Sequence, residues 1–324
     1  MRRIPLRAAG RLVLNRAAGA ALVLWGAASL GFLALHLVPG DPVTVLLGGS
    51  VTTGSAAVRA EITREFGLDR PPATQYLTFL GHLARGDLGL SYQQQQPVGR
   101  IIGEQFGSTA VLASLALALI LAIALVSAVS TAGRRRPVRG TVSGVELVAF
   151  STPAFWLGIL LLTVFSFRLQ VFPVAGDEGW RSLVLPALTL AVPFGSLLSQ
   201  VLREGVEAAL DQPFALTARS RGVGPLAVRA RHALRHALIP AVTIGGWLVG
   251  GLLGGTVLVE TVFARPGIGR VAVEAVNSHD IPVVVGLIML SATVYLVVNT
   301  LVDVLYLLID PRLRGARPGT GVTA

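Results

Sequence analysis

Six arginines, Arg203, Arg219, Arg221, Arg229, Arg231 and Arg235, crowd into residues 203–237, with Thr217-Ala218-Arg219-Ser220-Arg221-Gly222 at their centre. A guanidinium keeps its charge and offers a planar fork of donors, so the chemistry available here is the gripping of acidic groups. Covalent chemistry has little to work with. Cysteine is absent, and all 27 basic residues are arginines, so the chain lacks a thiolate and the lysine that a P-loop or a Schiff base requires. His232 and His236 sit four apart on an expected helix, a spacing that can hold zinc. No glutamate follows His232 and no third ligand lies nearby, so neither a metal site nor a cofactor is expected.

Glu146, Arg168, Glu260 and Asp303 lie in or beside apolar stretches. Charge inside a bilayer is costly, which makes such residues functional candidates by default. All four fall toward the ends of their stretches, whereas an ion-coupled carrier places a titrating group near the midplane. An intramembrane enzyme would need a catalytic pair at depth, and none is visible. Both rivals are therefore disfavoured.

The elements that carry these residues are set by composition. Of 324 residues, 53% are hydrophobic and 14% charged, against about a quarter charged in a soluble domain. A spanning helix needs about 20 mainly apolar residues, and six windows qualify: 17–38, 108–132, 143–170, 183–202, 238–263 and 282–309. The third and sixth are long enough to be tilted. The first run exceeds the roughly 7–15 residues of a signal-peptide core, and Pro39-Gly40-Asp41-Pro42 follows without a cleavage pattern, so this run is expected to remain as a span.

Charge sets the expected orientation. With a cytoplasmic N-terminus, inside segments hold 18 arginines: five over 1–16, four over 134–139, six over 203–237 and three over 310–324. Short outside loops hold Arg181, Arg265 and Arg270, so both termini are expected in the cytoplasm. The net charge of +10 lacks an aromatic-studded basic face, and nucleic acid is not an expected partner. The chain reads as one all-α membrane domain over 1–324, with an external segment at 41–107 and a cytoplasmic loop at 203–237.

In the external segment, short helices are expected over Glu61–Phe66 and Tyr76–Ala84, then a turn-rich stop at Gly86–Ser91 and a solvated glutamine tract at Gln93–Gln96. Pro186 and Pro193 interrupt the fourth window, as a kink or beside a pathway. Gly246, Gly250 and Gly254, with Gly251 and Gly255 as a second row, allow close helix approach. That approach serves either packing within the chain or a face against a second membrane subunit or around a pore. Glu260, Phe263, Pro266 and Gly267 mark a tight turn that either packs the fifth helix against the outer loops or acts as an external gate or a contact for an outside protein. In the arginine-rich segment, Pro213 opens a short helix that Gly222 stops, and a second helix starts at Pro225. A charged loop drawn to anionic lipid would account for the arginines but not for this punctuation.

Leu216, Thr217, Ala218, Arg219, Ser220, Arg221 and Gly222 resemble the characteristic cytoplasmic loop of membrane subunits of ATP-binding-cassette importers, in particular the dipeptide, oligopeptide and nickel permease branch. The wider family opens this loop with Glu-Ala-Ala, where this chain has Leu216, Thr217 and Ala218. Other stretches are similar to that branch in order along the chain. They are His36–Pro42, Gly86–Ser91 with Pro97-Val98, Ser151–Gly158, Glu260–Phe263 with Pro266–Gly269, and Asp310-Pro311-Arg312. The resemblance implies a six-span type I importer permease in the bacterial cytoplasmic membrane. Its implied partners are a second permease, two ATPase subunits and an external solute-binding protein. Phe214–Gly222 would be the coupling helix, with Phe214 and Leu216 as apolar anchor and Arg219 and Arg221 at an acidic rim. Di- or oligopeptides are the implied cargo, with nickel or another solute as alternatives.

Overall fold

The computed structural model describes residues 6–37, 60, 63–64 and 69–309, with side chains over 14–33, 60, 63–64 and 69–305. Most of the helix expected over Glu61–Phe66 lies outside these residues, as do His36–Pro42 in large part and Asp310–Arg312. The described residues form helices joined by turns, without a strand beyond one isolated bridge between Leu90 and Pro97. Among the described residues, five helices are long and apolar enough to cross a membrane, and a bent pair makes a sixth span if counted as one. Two compact units result, one drawn from Met1–Gly107 with Arg270–Leu296 and the other from Ser108–Gly269 with Val297–Ala324.

In the first unit, α1 (Leu6–Leu37) meets α2 (Pro72–Ala84) through aromatic contacts. The Phe32 ring lies 5.1 Å from that of Tyr76 and 5.7 Å from that of Phe79, and the Tyr76 and Ser29 hydroxyls share a 2.6 Å hydrogen bond. Pro72 opens α2 earlier than the expected Tyr76, because a proline in the first turn loses no helical donor. The stop that follows matches its composition: Gly86 and Gly89 take φ of 78° and 80°. The Gly89 N–H and His82 both bond Asp87 and hold its carboxyl below the usual carboxylate range.

The glutamine tract is tied down at its base. Asp280 accepts hydrogen bonds from the Ser91 hydroxyl and from the Tyr92 and Gln93 N–H groups, the latter two at 3.1 and 3.3 Å. Gln93 Nε2 also donates to the Ser278 carbonyl at 3.2 Å. Burial, assisted by the Asp280 charge, pushes the Tyr92 phenol up to about 12. Asp280 directly precedes α11 (Ile281–Ile309), so one carboxylate ties the loop over Ser91–Gln93 to the start of that helix.

In the second unit, the continuing part of α3 (Val98–Thr131) presents Leu112, Ala116, Ile120, Ala124 and Ala128, all fully buried at a spacing of four. This stripe packs with buried residues of α6 (Arg181–Leu210) and α9 (Leu234–Val262) in one apolar cluster. A Cβ added to Gly195 of α6 would lie 3.0 Å from Ile123, which shows how closely α3 and α6 approach.

Two expectations need correction. The window 143–170 is not one tilted helix: α4 (Arg136–Ser151) and α5 (Ala154–Leu161), the latter continued by a π-turn over Leu162–Arg168, meet at 100°. Pro153 holds Thr152 extended, at ψ 124°, and has no N–H to continue the helix. Pro186 and Pro193, by contrast, do not interrupt α6, which runs unbroken through both. Pro186 removes the donor for the Ser182 carbonyl, and Arg265 Nη1 takes that place at 3.3 Å.

Asp280→Ala should leave three donors without their acceptor and cost about 3 kcal/mol locally, on the scale of bonds to a charged group. Amide exchange over residues 91–93 should rise by roughly a hundredfold while α6 stays protected; unchanged exchange there would show that Asp280 is not the anchor.

Candidate functional site

The arginine-rich segment folds as the punctuation demands. Gln212 is extended, Pro213 opens α7 (Pro213–Ser220), and Gly222 ends the turn with φ 80°. After it, α8 (Pro225–Ala227) passes through a π-turn over Val228–Ala233 into α9. Helical spacing gives α7 two faces. Ala215 and Ala218 are buried with Val228, and Phe214, Leu210 and Val223 pack against them. Thr217, Arg219 and Ser220 point outward, and Leu216 is 69% exposed.

The expected anchor pair, Phe214 and Leu216, is therefore divided. Phe214 turns inward and stacks on His236, ring centroids 4.9 Å apart, so only Leu216 is presented. Arg221 is also exposed. The six arginines divide in the same way. Arg219, Arg221, Arg231 and Arg235 face out, whereas Arg203 and Arg229 are buried.

The buried two bind the helices flanking α7. Arg229 Nη1 donates to the Val129 and Ser130 carbonyls at 3.0 and 3.4 Å, in the last turn of α3, where helical carbonyls have no internal donor. Arg203 on α6 pairs through Nη2 with Glu146 Oε2 on α4 and through Nη1 with Oε1 at 3.2 Å. The hydroxyls of Ser127 and Ser199 donate to the same Oε1 at 2.7 and 2.6 Å, and Arg203 Nη1 reaches Thr131 Oγ1 at 3.2 Å. Glu146 and Arg203 are 5% and 4% exposed, so the network is enclosed. Nearby, Arg139 Nη1 pairs with Glu207 Oε2 at 3.0 Å, again joining α4 to α6.

The Glu146–Arg203 pair has no signature in the sequence, since the two are 57 residues apart, one toward the end of an apolar stretch and the other at the start of the arginine-rich segment. Gly205 has none either. A Cβ there would lie 2.7 Å from the Ala237 Cβ, so the helices entering and leaving the α7 region touch at this glycine.

At the other end of the unit, Glu260 is fully buried and accepts hydrogen bonds from Thr109 Oγ1 at 2.6 Å and from the Gly269 N–H at 2.8 Å. The Ile268 N–H bonds Thr109 Oγ1 at 2.8 Å. Phe263 is 3% exposed, Pro266 is half-buried, and a Cβ on Gly267 would strike the Glu260 carboxylate. Arg265 binds the Gly176 carbonyl at 3.3 Å and Ser182 Oγ at 3.1 Å, and burial lowers its pKa against the opposing pull of Asp177 and Glu260. The glycines of α9 separate into two sets. Gly251 and Gly255 pack on Phe194 and Leu190 of α6, Gly246 lies against Asn299, and Gly250 and Gly254 are exposed.

Residues 120–315 match the family described as the inner membrane component of binding-protein-dependent transport systems, and residues 10–113 match the N-terminal part of such membrane components. The chain belongs to this family. It is a type I ATP-binding-cassette importer permease of the peptide branch, a multi-pass membrane protein. A Brucella abortus (strain 2308) protein named for a peptide transport system permease is 38% identical over 312 residues, covering 94% of this chain and 98% of the relative. The glutathione transport system permease protein GsiC of Salmonella typhimurium is 35% identical over 305 residues, covering 93% of this chain and 98% of the relative.

Gly205→Val should force α6 and α9 apart and cost about 1–3 kcal/mol, the usual range for overpacking. Thermal unfolding of the detergent-solubilised permease should show the loss, and Ala237→Gly in the same chain should recover only part of it, because the Ala237 Cα would still lie 2.9 Å from the added Cβ; a single variant as stable as wild type would deny the contact.

Proposed function

We propose that this permease forms half of the translocation pathway of an ATP-driven importer of di- or oligopeptides, with α7 as the helix that engages a separate ATPase. One observation carries the reading. The outer face of α7 presents Leu216, Thr217, Arg219, Ser220 and Arg221, while its inner face is locked by Phe214, Ala215 and Ala218. A rigid, cationic knob of this kind suits an acidic-rimmed groove. Leu216 supplies the apolar contact, and the arginines set orientation and association rate.

In this reading both termini and the 203–237 loop face the cytoplasm of a bacterium, and the 41–107 segment faces outward. A second permease completes the pathway, with the exposed Gly250 and Gly254 as its close-approach row. Two ATPase subunits hydrolyse ATP, and an external binding protein delivers the solute. Nucleotide and loaded binding protein each bias which face of the pathway is open, as coupling between distant sites requires. The relatives named for peptide and glutathione transport support a peptide cargo. Any gating role of Glu260, Phe263, Pro266 and Gly267 would act through the fold of their turn, since Glu260 and Phe263 are buried.

Charge reversal at both Arg219 and Arg221 should reduce co-purification of the ATPase and uptake of labelled peptide by at least about tenfold, the scale of lost charge steering, with membrane insertion unchanged. Undiminished ATPase recovery from detergent extracts would rule out α7 as the docking helix.

A further inference from the structure

Glu146 and Arg203 lie outside the α7 motif, yet Arg203 sits on the helix that leads directly into it. Their carboxylate and guanidinium are closed to solvent, and the Ser127, Ser199 and Thr131 hydroxyls complete the hydrogen bonding. Such a pair does little for stability that apolar side chains of equal volume would not do. Its distinct property is resistance to sliding. Apolar helix faces can shift by small rotamer changes, whereas moving α6 along α4 would strand a charge among apolar groups, at a cost of several kcal/mol.

A second tie reinforces the first on the same two helices: Glu207 of α6 accepts from Arg139 at 3.0 Å and from the Gly133 N–H at 3.3 Å, just where α3 turns into α4. On the far side of α7, Arg229 fastens the outgoing π-turn to the end of α3. Both flanks of α7 are thus bound by arginines to the α3–α4 corner. A push on α7 would then reach α3, α4 and α6 as one displacement, which is how small local movements become discrete switches.

We propose that the Glu146–Arg203 pair is the joint that makes α4 follow α6 when α7 is displaced, and so fixes how much transport each ATP hydrolysis yields. Both are positioning residues. The inference rests on the reading of α7 as the ATPase-engaging helix.

The test uses the whole importer, reconstituted in vesicles with its partner permease, ATPase and binding protein. Glu146→Leu combined with Arg203→Met removes both charges together, the change that buried pairs tolerate best. The complex should assemble and hydrolyse ATP as wild type does, while peptide uptake per ATP falls roughly tenfold, within the usual range of allosteric coupling. Wild-type uptake per ATP would overturn the proposal. Should that variant not assemble, the cysteine-free chain allows a second route. Arg139→Cys with Glu207→Cys, joined by a short bifunctional maleimide, locks α4 to α6. Uptake should persist at the uncross-linked level; uptake lost with hydrolysis retained would show that α4 slides on α6 and would overturn the proposal. Reversal of Arg219 and Arg221 is scored separately by ATPase recovery, so a failure of the docking reading is distinguishable from a failure of the joint.

Discussion

Buried guanidinium groups meeting acceptors that the helices leave over are the interaction on which the second unit depends. Arg203 meets the Glu146 carboxylate, Arg229 the last carbonyls of α3, and Arg265 a carbonyl that a proline deprives of its donor. Once buried among packed helices, every such group needs a partner inside the protein, because water no longer reaches it. A planar fork of five donors can answer two or three acceptors at once, which an ammonium on a flexible stem does less well. A chain whose 27 basic residues are all arginines is well suited to this form of construction.

That constraint also explains the division of labour along residues 203–237. If all six arginines had faced solvent, α7 would keep its apolar inner face but lose the ties from its flanks to α3 and α4. Two of them are instead drawn inward to bind neighbouring helices, and this leaves α7 held rigidly between well-anchored flanks. Rigidity matters here because a knob that bends absorbs a push, whereas a knob on fixed supports passes it on.

Much of this was readable from residue types. The apolar windows marked the spans, Pro213 and Gly222 bounded α7, and Gly86 and Gly89 marked the turn, because each depends on local chemistry. The unread features depend on contacts between distant residues. Window 143–170 looked continuous to a hydropathy reading, which cannot register that Pro153 forces Thr152 out of the helix. Pro186 looked disruptive because the compensating donor, Arg265, lies far along the chain. Phe214 and Leu216 looked equivalent until the faces of α7 were assigned, and Glu146 and Arg203 gave no sign of each other in one dimension.

The arrangement around Pro186 has an evolutionary reading. An ordinary residue there would return an amide hydrogen to the Ser182 carbonyl, and the guanidinium now serving that oxygen would lose one of its reasons to be buried. Loss of Arg265 with the proline retained would leave the buried oxygen without a donor. The two positions are therefore expected to drift in a fixed order, the imino acid first and the cation afterwards, and homologues caught between those steps should keep the arginine.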